Sequence, residues 1–367
     1  MLLSAAAVLP MLAVAQPAQA QRAGDKISGR HICVFNKNVS RSSVDAESRR
    51  VVQPHGGLVT DVYRNTLRGF AANISDAAAA RLKADNPSIA FCEQEQIFTI
   101  PPIRADGRPT GGVTAMAQET PWGIARVNGG VGGASGTAWV LDTGVQYNHP
   151  DLNVDTARSR TFIGRNSTPW DQNGHGTHVA GTIAAKDDGN GVIGVAAGAK
   201  VVSVRVLDRR GSGTTSGVIA GIDYVGQVGQ VGDVANMSLG GGVSAALDAA
   251  VVAASAKVKF ALAAGNESDN ANNHSPARAN GTNIYTVSAF AIGDKWASFS
   301  NFGSPPIDYA EPGVAIKSTW LNGGYYTISG TSMATPHLAG LLLIGAIKNG
   351  GTVISDPDTY KEQIGVH

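Results

Sequence analysis

Three short segments rich in glycine contain the residue types of a nucleophilic catalyst. They are WVLDTG at 139–144, NGHGTH at 173–178 and GTSMA at 330–334. A serine hydroxyl becomes a good nucleophile at neutral pH when an imidazole accepts its proton, and a carboxylate must hold that imidazole in the right tautomer. Asp142, His175 and Ser332 are therefore the predicted acid, base and nucleophile of a serine-hydrolase triad.

Two apolar runs that end in polar residues predict parallel strands whose last residues meet at one sheet edge. The run 137–141 precedes Asp142, and the run 261–264 precedes Gly265 and Asn266. Open parallel sheets have their active sites at the carboxyl edge of the strands. An asparagine amide at that edge can donate a hydrogen bond to the oxyanion of acyl transfer, so Asn266 is the predicted oxyanion donor.

Two apolar segments predict helices that carry the other two catalytic residues. The segment 175–186 predicts a helix with His175 in its first turn, and the segment 332–344 predicts a helix that Ser332 opens. Pro336 falls close enough to the start of the second helix to be tolerated. A nucleophile in the first turn also gains from the positive end of the helix dipole.

These residues and their order resemble those of the subtilases, the subtilisin-like serine proteases, and most closely the proteinase K-like branch. The resemblance covers residues 121–347, and its further segments are PWGIAR at 121–126, HPDL at 149–152, RVLD at 205–208, GSG at 211–213, NMSLGG at 236–241 and FSNFG at 299–303. It implies that Asp142, His175 and Ser332 are the triad and that Asn266 is the oxyanion residue. It also implies a doubly wound α/β catalytic domain around a mostly parallel sheet.

The resemblance implies a cleft that binds an extended polypeptide by its backbone. The family lays its substrate as an added strand between two edge segments, which correspond here to 211–213 and 238–241. The pocket for the residue before the scissile bond would lie between 238–240 and 263–265, and because neither wall carries a charge we expect an apolar preference. Thr215 stands where the family often has an aromatic rim for the fourth subsite, so weaker selection is expected there. The predicted substrate-binding residues are Gly211, Ser212, Gly213, Ser238, Leu239, Gly240, Ala263, Ala264 and Gly265.

Other kinds of chemistry fit parts of the pattern less well. His175 and His178 are three residues apart without the HExxH arrangement, so a zinc site is disfavoured and His178 is expected to be structural, like His337. Asp142-Thr-Gly also occurs in aspartic peptidases, but those need a second such loop, and none is present. An esterase would need a Gly-x-Ser-x-Gly elbow, which the nucleophile segment lacks. A pseudoprotease that acts as a binding module stays open as an alternative, although the intact catalytic set argues against it.

Length and composition fit the precursor of an exported enzyme. The 367 residues exceed one ordinary domain, and the net charge of +1 gives no basic footprint for nucleic acid. No apolar run in the body is long enough to span a membrane. Residues 1–20 are apolar and end in Ala18-Gln-Ala20, a pattern typical of signal peptidase cleavage, although no Lys or Arg precedes the apolar stretch. Export is therefore expected, with a membrane-associated N-terminal helix as the alternative.

Residues 28–100 predict a second unit with the order βαββαβ. Its predicted strands are 29–35, 58–63, 67–72 and 89–94, and its predicted helices are 44–54 and 75–85, the second with Ser75 as N-cap. The pattern resembles the inhibitory propeptide of subtilases, a ferredoxin-like α+β module that assists folding and then blocks the active site. Cys33 and Cys92 both fall in this unit, on strands that would be neighbours, so they are either bridged or buried as two thiols.

The resemblance completes the domain organisation. Residues 1–20 would be a signal peptide, 28–100 the propeptide, 101–114 a linker with the processing site, and 115–367 the peptidase domain. The mature chain would start near Ala115. The enzyme is expected to remove its own propeptide and to act on polypeptides as a secreted monomer, without nucleic acid or membrane as partners in the mature form.

The resemblance also implies a structural calcium ion, while catalysis is expected to need no cofactor. Asp308 matches the acidic ligand of the main proteinase K-type calcium site, with the carbonyls of Thr282 and Ile284 as further ligands. A solvated or salt-bridged Asp308 is the alternative.

Overall fold

Two large sheets of different construction and one small three-stranded sheet make up the described part of the protein in the computed structural model, which describes residues 22–110, 117–164, 166–358 and 361–367. The predicted signal peptide and the predicted mature start at Ala115 lie outside these ranges. Among the helices within them, none combines the length and the apolar character that a membrane crossing requires.

The N-terminal unit is a four-stranded antiparallel sheet with two helices. Its elements are β1 (Lys26–Phe35), α1 (Val44–Val52), β2 (Leu58–Tyr63), β3 (Gly69–Asn73), α2 (Asp76–Asp85) and β4 (Ile89–Thr99). The strand order β2-β3-β1-β4 and the sequence of elements confirm the predicted βαββαβ pattern. Ser75 caps α2, since its hydroxyl oxygen accepts a hydrogen bond from the N–H of Ala78 at 3.3 Å. Cys33 and Cys92 lie opposite each other on β1 and β4 and form a disulfide.

The C-terminal unit has a mostly parallel sheet with helices on both faces. Its strands are β5 (Arg104–Thr110), β6 (Thr137–Asp142), β7 (Arg160–Thr161), β8 (Lys200–Arg205), β9 (Ser212–Thr214), β10 (Val234–Met237), β11 (Lys259–Ala263), β12 (Ile284–Ala291), β13 (Lys295–Trp296), β14 (Ile307–Pro312), β15 (Ile316–Thr319), β16 (Tyr325–Ser329), β17 (Lys348–Thr352) and β18 (Gln363–Val366). Its helices are α3 (Trp122–Arg126), α4 (His175–Ala184), α5 (Thr215–Val228), α6 (Ala245–Ala254) and α7 (Thr331–Ile344). The main sheet has the order β17-β18-β14-β12-β11-β10-β6-β8-β7, and its central strands from β14 to β8 are parallel.

Alternate residues of β6 show how this sheet divides the core. Trp139 and Leu141 pack with the apolar residues of α5 and α6, whereas Ala138 and Val140 pack with those of α4 and α7. All four side chains are fully buried, as a central strand covered on both faces requires. The predicted doubly wound α/β fold is therefore confirmed, and the carboxyl ends of β6 and β11 lie at the same edge.

The segment that leads from the N-terminal unit into the C-terminal unit pairs by its backbone at both ends, through β4 and through β5. β4 pairs antiparallel with β9, so the N-terminal sheet continues into the C-terminal unit. Part of the predicted linker is regular, because β5 pairs antiparallel with β16 in a separate sheet that also contains β15. Every residue of β5 is exposed, so this strand depends on backbone hydrogen bonds and leaves no apolar pattern in the sequence.

Candidate active site

His175 and Asp142 form a buried hydrogen-bonded pair at the carboxyl edge of the sheet. His175 Nδ1 lies 2.8 Å from Oδ1 and 3.0 Å from Oδ2 of Asp142. The N–H of Thr143 also donates to Asp142 Oδ1, at 2.7 Å. His175 Nε2 has no hydrogen-bond partner among the described residues, so this nitrogen is available to accept a proton.

Glycine at position 176 allows α4 to start close to the end of β6. A Cβ on Gly176 would lie 2.1 Å from the carbonyl oxygen of Gly144, which no ordinary contact permits. The N–H of Gly176 donates to the hydroxyl of Thr143 at 3.0 Å. His175 is the first residue of α4, as predicted, and the close approach sets its ring against the Asp142 carboxylate.

Asp171, which the sequence did not single out, ties the aspartate and histidine segments together. Its Oδ1 accepts hydrogen bonds from the hydroxyl of Thr143 at 2.9 Å and from the N–H groups of Asn173 and Gly174 at 2.8 and 3.0 Å. Its Oδ2 accepts from the N–H and the hydroxyl of Thr177 at 3.0 and 2.7 Å. An aspartate near an Asn-Gly pair is common in turns, so the sequence alone gave no sign of this role.

Ser332 is the second residue of α7 and is fully buried. Its hydroxyl donates a hydrogen bond to the carbonyl of Ser238 at 3.3 Å, and its own carbonyl accepts one from the hydroxyl of Ser238 at 2.9 Å. Pro336, four residues further on, has no N–H to offer that carbonyl. The Ser238 hydroxyl satisfies it instead, which explains how α7 contains a proline near its start.

The side-chain amide of Asn266 donates a hydrogen bond to the backbone carbonyl of Pro102. Its Oδ1 accepts hydrogen bonds from the N–H and the hydroxyl of Thr331 at 2.9 and 2.8 Å. These bonds fix the orientation of the amide, so Nδ2 must point away from Thr331. Nδ2 donates to the carbonyl oxygen of Pro102 at 2.9 Å. Thr331 therefore orients the Asn266 amide. The two residues are far apart in sequence, so no local pattern predicts this contact.

The chain that follows β4 lies in the cleft as an extended strand. Thr99 exchanges two backbone hydrogen bonds of 2.9 Å with Gly240, and the N–H of Ile100 donates to the carbonyl of Gly211 at 2.9 Å. On its other side β4 is paired with β9. The two segments predicted to bind substrate therefore hold one strand of this same chain between them.

A cavity of about 480 Å³ lies beside this strand. It is lined by four predicted substrate-binding residues, namely Gly240, Ala263, Ala264 and Gly265, together with Pro101 and Pro102. Arg22 and Glu267 also line it, so the cavity contains charged groups although the two predicted walls have none. Ser238 and Leu239 are fully buried and lie outside the lining.

Thr215 contacts the N-terminal unit. Its hydroxyl accepts a hydrogen bond from the N–H of Gln96 and donates one to the carbonyl of the same residue, both at 3.1 Å. Nearby, the ring of Phe98 is fully buried, and a Cβ on Gly241 would lie 2.9 Å from it. The backbone of Gln96 thus lies against Thr215, and Phe98 of the same strand packs against Gly241.

Two further histidines near the site have structural contacts. His178 Nε2 lies 3.0 Å from the carbonyl of Ile316 and 3.1 Å from that of Tyr326, and burial lowers the pKa of His178 to about 3. His337 Nδ1 lies 2.8 Å from the carbonyl of Met333, and burial lowers the pKa of His337 to about 4. Both imidazoles are therefore neutral at pH 7, so they add no charge beside His175.

Asp308, the predicted calcium ligand, lies on β14 away from the catalytic residues. One of its carboxylate oxygens accepts a hydrogen bond from the N–H of Thr286 at 2.9 Å. The residue is exposed as a whole, but its carboxyl group is partly enclosed, and this desolvation raises the pKa of Asp308 to about 6. Desolvation penalises the charged form of the carboxyl group, and a bound cation would offset that penalty.

Comparison with known proteins gives consistent matches along most of the chain. Residues 139–366 match the Subtilase family. Alkaline serine exoprotease A of Vibrio alginolyticus is 40% identical over 336 residues, which are 86% of this chain and 60% of that protein. Proteinase R of Parengyodontium album is 35% identical over 335 residues, 87% of this chain and 79% of its own length. An extracellular serine proteinase of Thermus sp. strain Rt41A is 37% identical over 363 residues, 93% of this chain and 86% of its own.

A solved subtilisin-like structure shares the fold of about two thirds of this chain. The crystal structure of a cold adapted subtilisin-like serine proteinase aligns with a TM-score of 0.59 at 42% sequence identity. The alignment covers 66% of this chain and 96% of that one, so about a third of this chain has no counterpart there.

Proposed function

Because the chain belongs to the subtilase family of serine proteases, we propose that it hydrolyses peptide bonds through an acyl-enzyme on Ser332. The observation that carries the proposal is the hydrogen bond of 2.9 Å from the Asn266 amide to the Pro102 carbonyl. A donor fixed on a peptide carbonyl is the arrangement that stabilises negative charge when that carbonyl becomes tetrahedral.

In the proposed reaction Ser332 Oγ bonds to the carbonyl carbon while its proton passes to His175 Nε2. For this transfer the hydroxyl exchanges its hydrogen bond with the Ser238 carbonyl for one with the unpartnered imidazole nitrogen. Asn266 Nδ2 and the N–H of Ser332 stabilise the oxyanion. The C–N bond then breaks as His175 returns the proton to the amine, and water releases the acyl group by the same proton transfers. Asp142 orients His175 and stabilises its charged form.

The proposed substrates are polypeptides in extended form, with broad specificity. Support comes from the strand bound in the cleft, where Thr99 and Ile100 are held by backbone hydrogen bonds that any residue sequence can form. The cavity beside this strand has alanine and glycine walls, so we propose a preference for apolar residues before the scissile bond.

The N-terminal unit is proposed to be an inhibitory propeptide. Two of its carboxylates reach the N-termini of neighbouring helices in the C-terminal unit. Glu95 accepts hydrogen bonds from the N–H of Ser216 at 3.1 Å and from its hydroxyl, in the first turn of α5. Glu93 accepts from the hydroxyl of Ser244 and from the N–H of Ala245 at 3.0 Å, at the start of α6. Helix N-termini favour negative charge, so these contacts would hold the unit in place after the chain is cut.

The first cut is proposed to fall between Pro102 and Ile103. The Pro102 carbonyl is the one bonded to Asn266, while the segment after Ile103 leaves the site and continues into β5. β5 starts opposite Ser329 of β16, so the chain would be held on both sides of the bond to be cut. Trimming towards Ala115 would follow as a second step.

Export and a calcium ion complete the proposal. Similar proteins include one named as an extracellular serine proteinase, which supports secretion.

Asp308 would bind calcium with the carbonyls of Thr282 and Ile284, and the ion would stabilise the turn before β12 without taking part in the reaction.

A fluorophosphonate probe tests the proposed activity. We expect the purified, processed protein to be labelled and to hydrolyse casein. The variant Ser332→Ala should fold, as judged by circular dichroism, but should neither react nor cleave. Labelling with hydrolysis of short esters but not of casein would contradict the proposal, and so would the absence of both in a processed, folded protein.

A further inference from the structure

Three acidic side chains converge in the loop between β17 and β18, on different residues from those of the active site and from Asp308. One carboxylate oxygen from each of Asp356, Asp358 and Glu362 lies within 4.8 Å of the others. Asp356 and Glu362 are buried, with 6% and 1% of their surfaces exposed. Three acidic groups at this separation repel one another strongly unless protons or a cation reduce their charge.

Glu362 is reached by no hydrogen-bond donor outside the acidic cluster among the described residues. Both of its carboxylate oxygens are buried and neither has a hydrogen-bond partner among the described residues. Burial and the adjacent Asp356 raise the pKa of Glu362 to about 10 when no cation is present. A buried and unpartnered carboxyl group is costly, and buried charges in proteins are normally paired or bound to metal ions.

Backbone N–H groups fix the position of Asp356 in the cluster, and the nearby Lys361 ammonium bonds to backbone carbonyls and not to the carboxylates. Asp356 Oδ1 accepts a hydrogen bond from the N–H of Asp358 at 2.8 Å, and Oδ2 accepts one from the N–H of Glu362 at 3.1 Å. The ammonium group of Lys361 donates to the backbone carbonyls of Asp356 and Asp358 at 2.7 and 3.3 Å, so it lies against the main chain. The three carboxyl groups are thus directed towards one another by their own loop.

We propose that Asp356, Asp358 and Glu362 form a binding site for a hard divalent cation, with Ca²⁺ as the occupant. All three donors are carboxylate oxygens, which suit Ca²⁺, and the site has no thiolate or imidazole of the kind that favours zinc. Ca²⁺ accepts a variable coordination geometry, whereas Mg²⁺ demands a nearly ideal octahedron. Water and backbone carbonyls would supply the remaining ligands.

The site joins the C-terminal segment to a loop behind the oxyanion donor. Asp358 Oδ2 accepts a hydrogen bond from the N–H of Gly303 at 2.7 Å. Two residues earlier, Asn301 donates to the carbonyl of Ala264 at 2.9 Å and accepts from the N–H of Glu267 at 3.0 Å, on either side of the oxyanion residue. A bound cation would therefore stabilise β18 and the loop that supports the catalytic edge.

Calcium binding to the full chain tests this site. The measurements are the number of bound Ca²⁺ ions per chain, by equilibrium dialysis, and the rise of Tm on adding Ca²⁺. The Ser332→Ala protein serves as the parent, so that autolysis is prevented and the result does not depend on the proposed activity. We expect Glu362→Gln to bind one Ca²⁺ fewer than the parent and to show a smaller rise of Tm.

Two further variants make the result specific. Asp187→Asn removes the same charge at an exposed position and should bind as many ions as the parent. Asp308→Asn should lose the ion proposed at β14 instead, so combining it with Glu362→Gln should lower the count by two relative to the parent. If Glu362→Gln fails to fold, Asp358→Asn, which can still accept from Gly303, replaces it. A count unchanged in Glu362→Gln, or in Asp358→Asn where that variant replaces it, would overturn the proposal.

Discussion

The N-terminal and C-terminal units meet along one extended strand and through apolar residues of β1 and β2 that pack against α5 and α6, but each is stabilised in a different way. The N-terminal unit has a small core of its own and a disulfide between β1 and β4. The C-terminal unit has no cysteine and depends on a parallel sheet whose two faces are both covered by helices. A small domain buries too little apolar surface to be very stable alone, so a cross-link is of most use there.

The contacts between the units also differ from those inside the catalytic edge. Across the interface, carboxylates of Glu93 and Glu95 bind helix N-termini, and backbone strands pair. Inside the catalytic edge, Asp142, His175 and Asp171 are fixed by buried side-chain hydrogen bonds. Both kinds of contact are buried, since Glu95 and Ser216 are 1% and 3% exposed. When the units separate, however, water can hydrate the polar groups of the interface, whereas the contacts of the catalytic edge stay inside one folded unit. This difference agrees with the proposal that the N-terminal unit is released and the C-terminal unit remains as the enzyme.

The largest effect is expected from a change inside the catalytic edge. Asp142→Asn should lower kcat by about 10⁴-fold, because an amide would hold His175 in the wrong tautomer while leaving the packing intact. The variant is first freed of its N-terminal unit by active enzyme in trans, and kcat is then measured on a peptide substrate. A loss of less than tenfold would show that Asp142 does not orient the base.

The disulfide should matter for one unit and not for the other. Replacing both Cys33 and Cys92 by alanine should lower the free energy of unfolding of the N-terminal unit by about 4 kcal/mol, since the bridge closes a loop with a sequence separation of 59. Urea unfolding of residues 22–102 measures this change. A loss of less than about 1 kcal/mol would mean that the bridge contributes little to the stability of this unit and would contradict the comparison.

A smaller loss of rate should follow from removing the oxyanion donor. Asn266→Ala should lower kcat by roughly 10²- to 10³-fold and leave KM nearly unchanged, because its amide contributes mainly when the carbonyl oxygen gains charge. Steady-state kinetics on a peptide substrate separate the two parameters. If KM rises while kcat is unaffected, Asn266 contributes to substrate binding and not to the transition state.

The smallest effect is expected at the interface. Glu95→Gln should weaken inhibition of the processed enzyme by residues 22–102 in trans by about 10- to 100-fold, the equivalent of one hydrogen bond with a charged acceptor. The control is Glu47→Gln, whose partner Arg50 lies on the same helix of the N-terminal unit. Equal inhibition constants for Glu95→Gln and the control would mean that the N-terminus of α5 does not hold the unit.

Local features of the fold could be predicted from the sequence because their causes are local. The strand that ends at Asp142, the helix that starts at His175 and the cap at Ser75 each follow from apolar periodicity or from the chemistry of one residue type. The roles of Thr331 and Asp171 could not be predicted, since they depend on segments that only the folded chain brings together.

The contacts of the chain after β4 could not be predicted from the sequence either. A segment rich in proline and glycine has no periodicity, yet its backbone pairs with β16 and one of its carbonyls reaches Asn266. Pairing at a sheet edge is decided by the partner strand and leaves no mark in the residue pattern. The acidic cluster around Glu362 was missed for a related reason, since surface loops are commonly acidic and only burial distinguishes this one.

The most direct test of the account is the N-terminal sequence of the chain after expression in a host without other proteases. If Ser332 cuts the strand that its own N-terminal unit lays in the cleft, the wild type should yield a new N-terminus at Ile103, followed by trimming. The Ser332→Ala chain should keep its N-terminal unit covalently attached. Normal processing of Ser332→Ala, or a first cut of the wild type at Ala115 with the bond after Pro102 intact, would contradict the account.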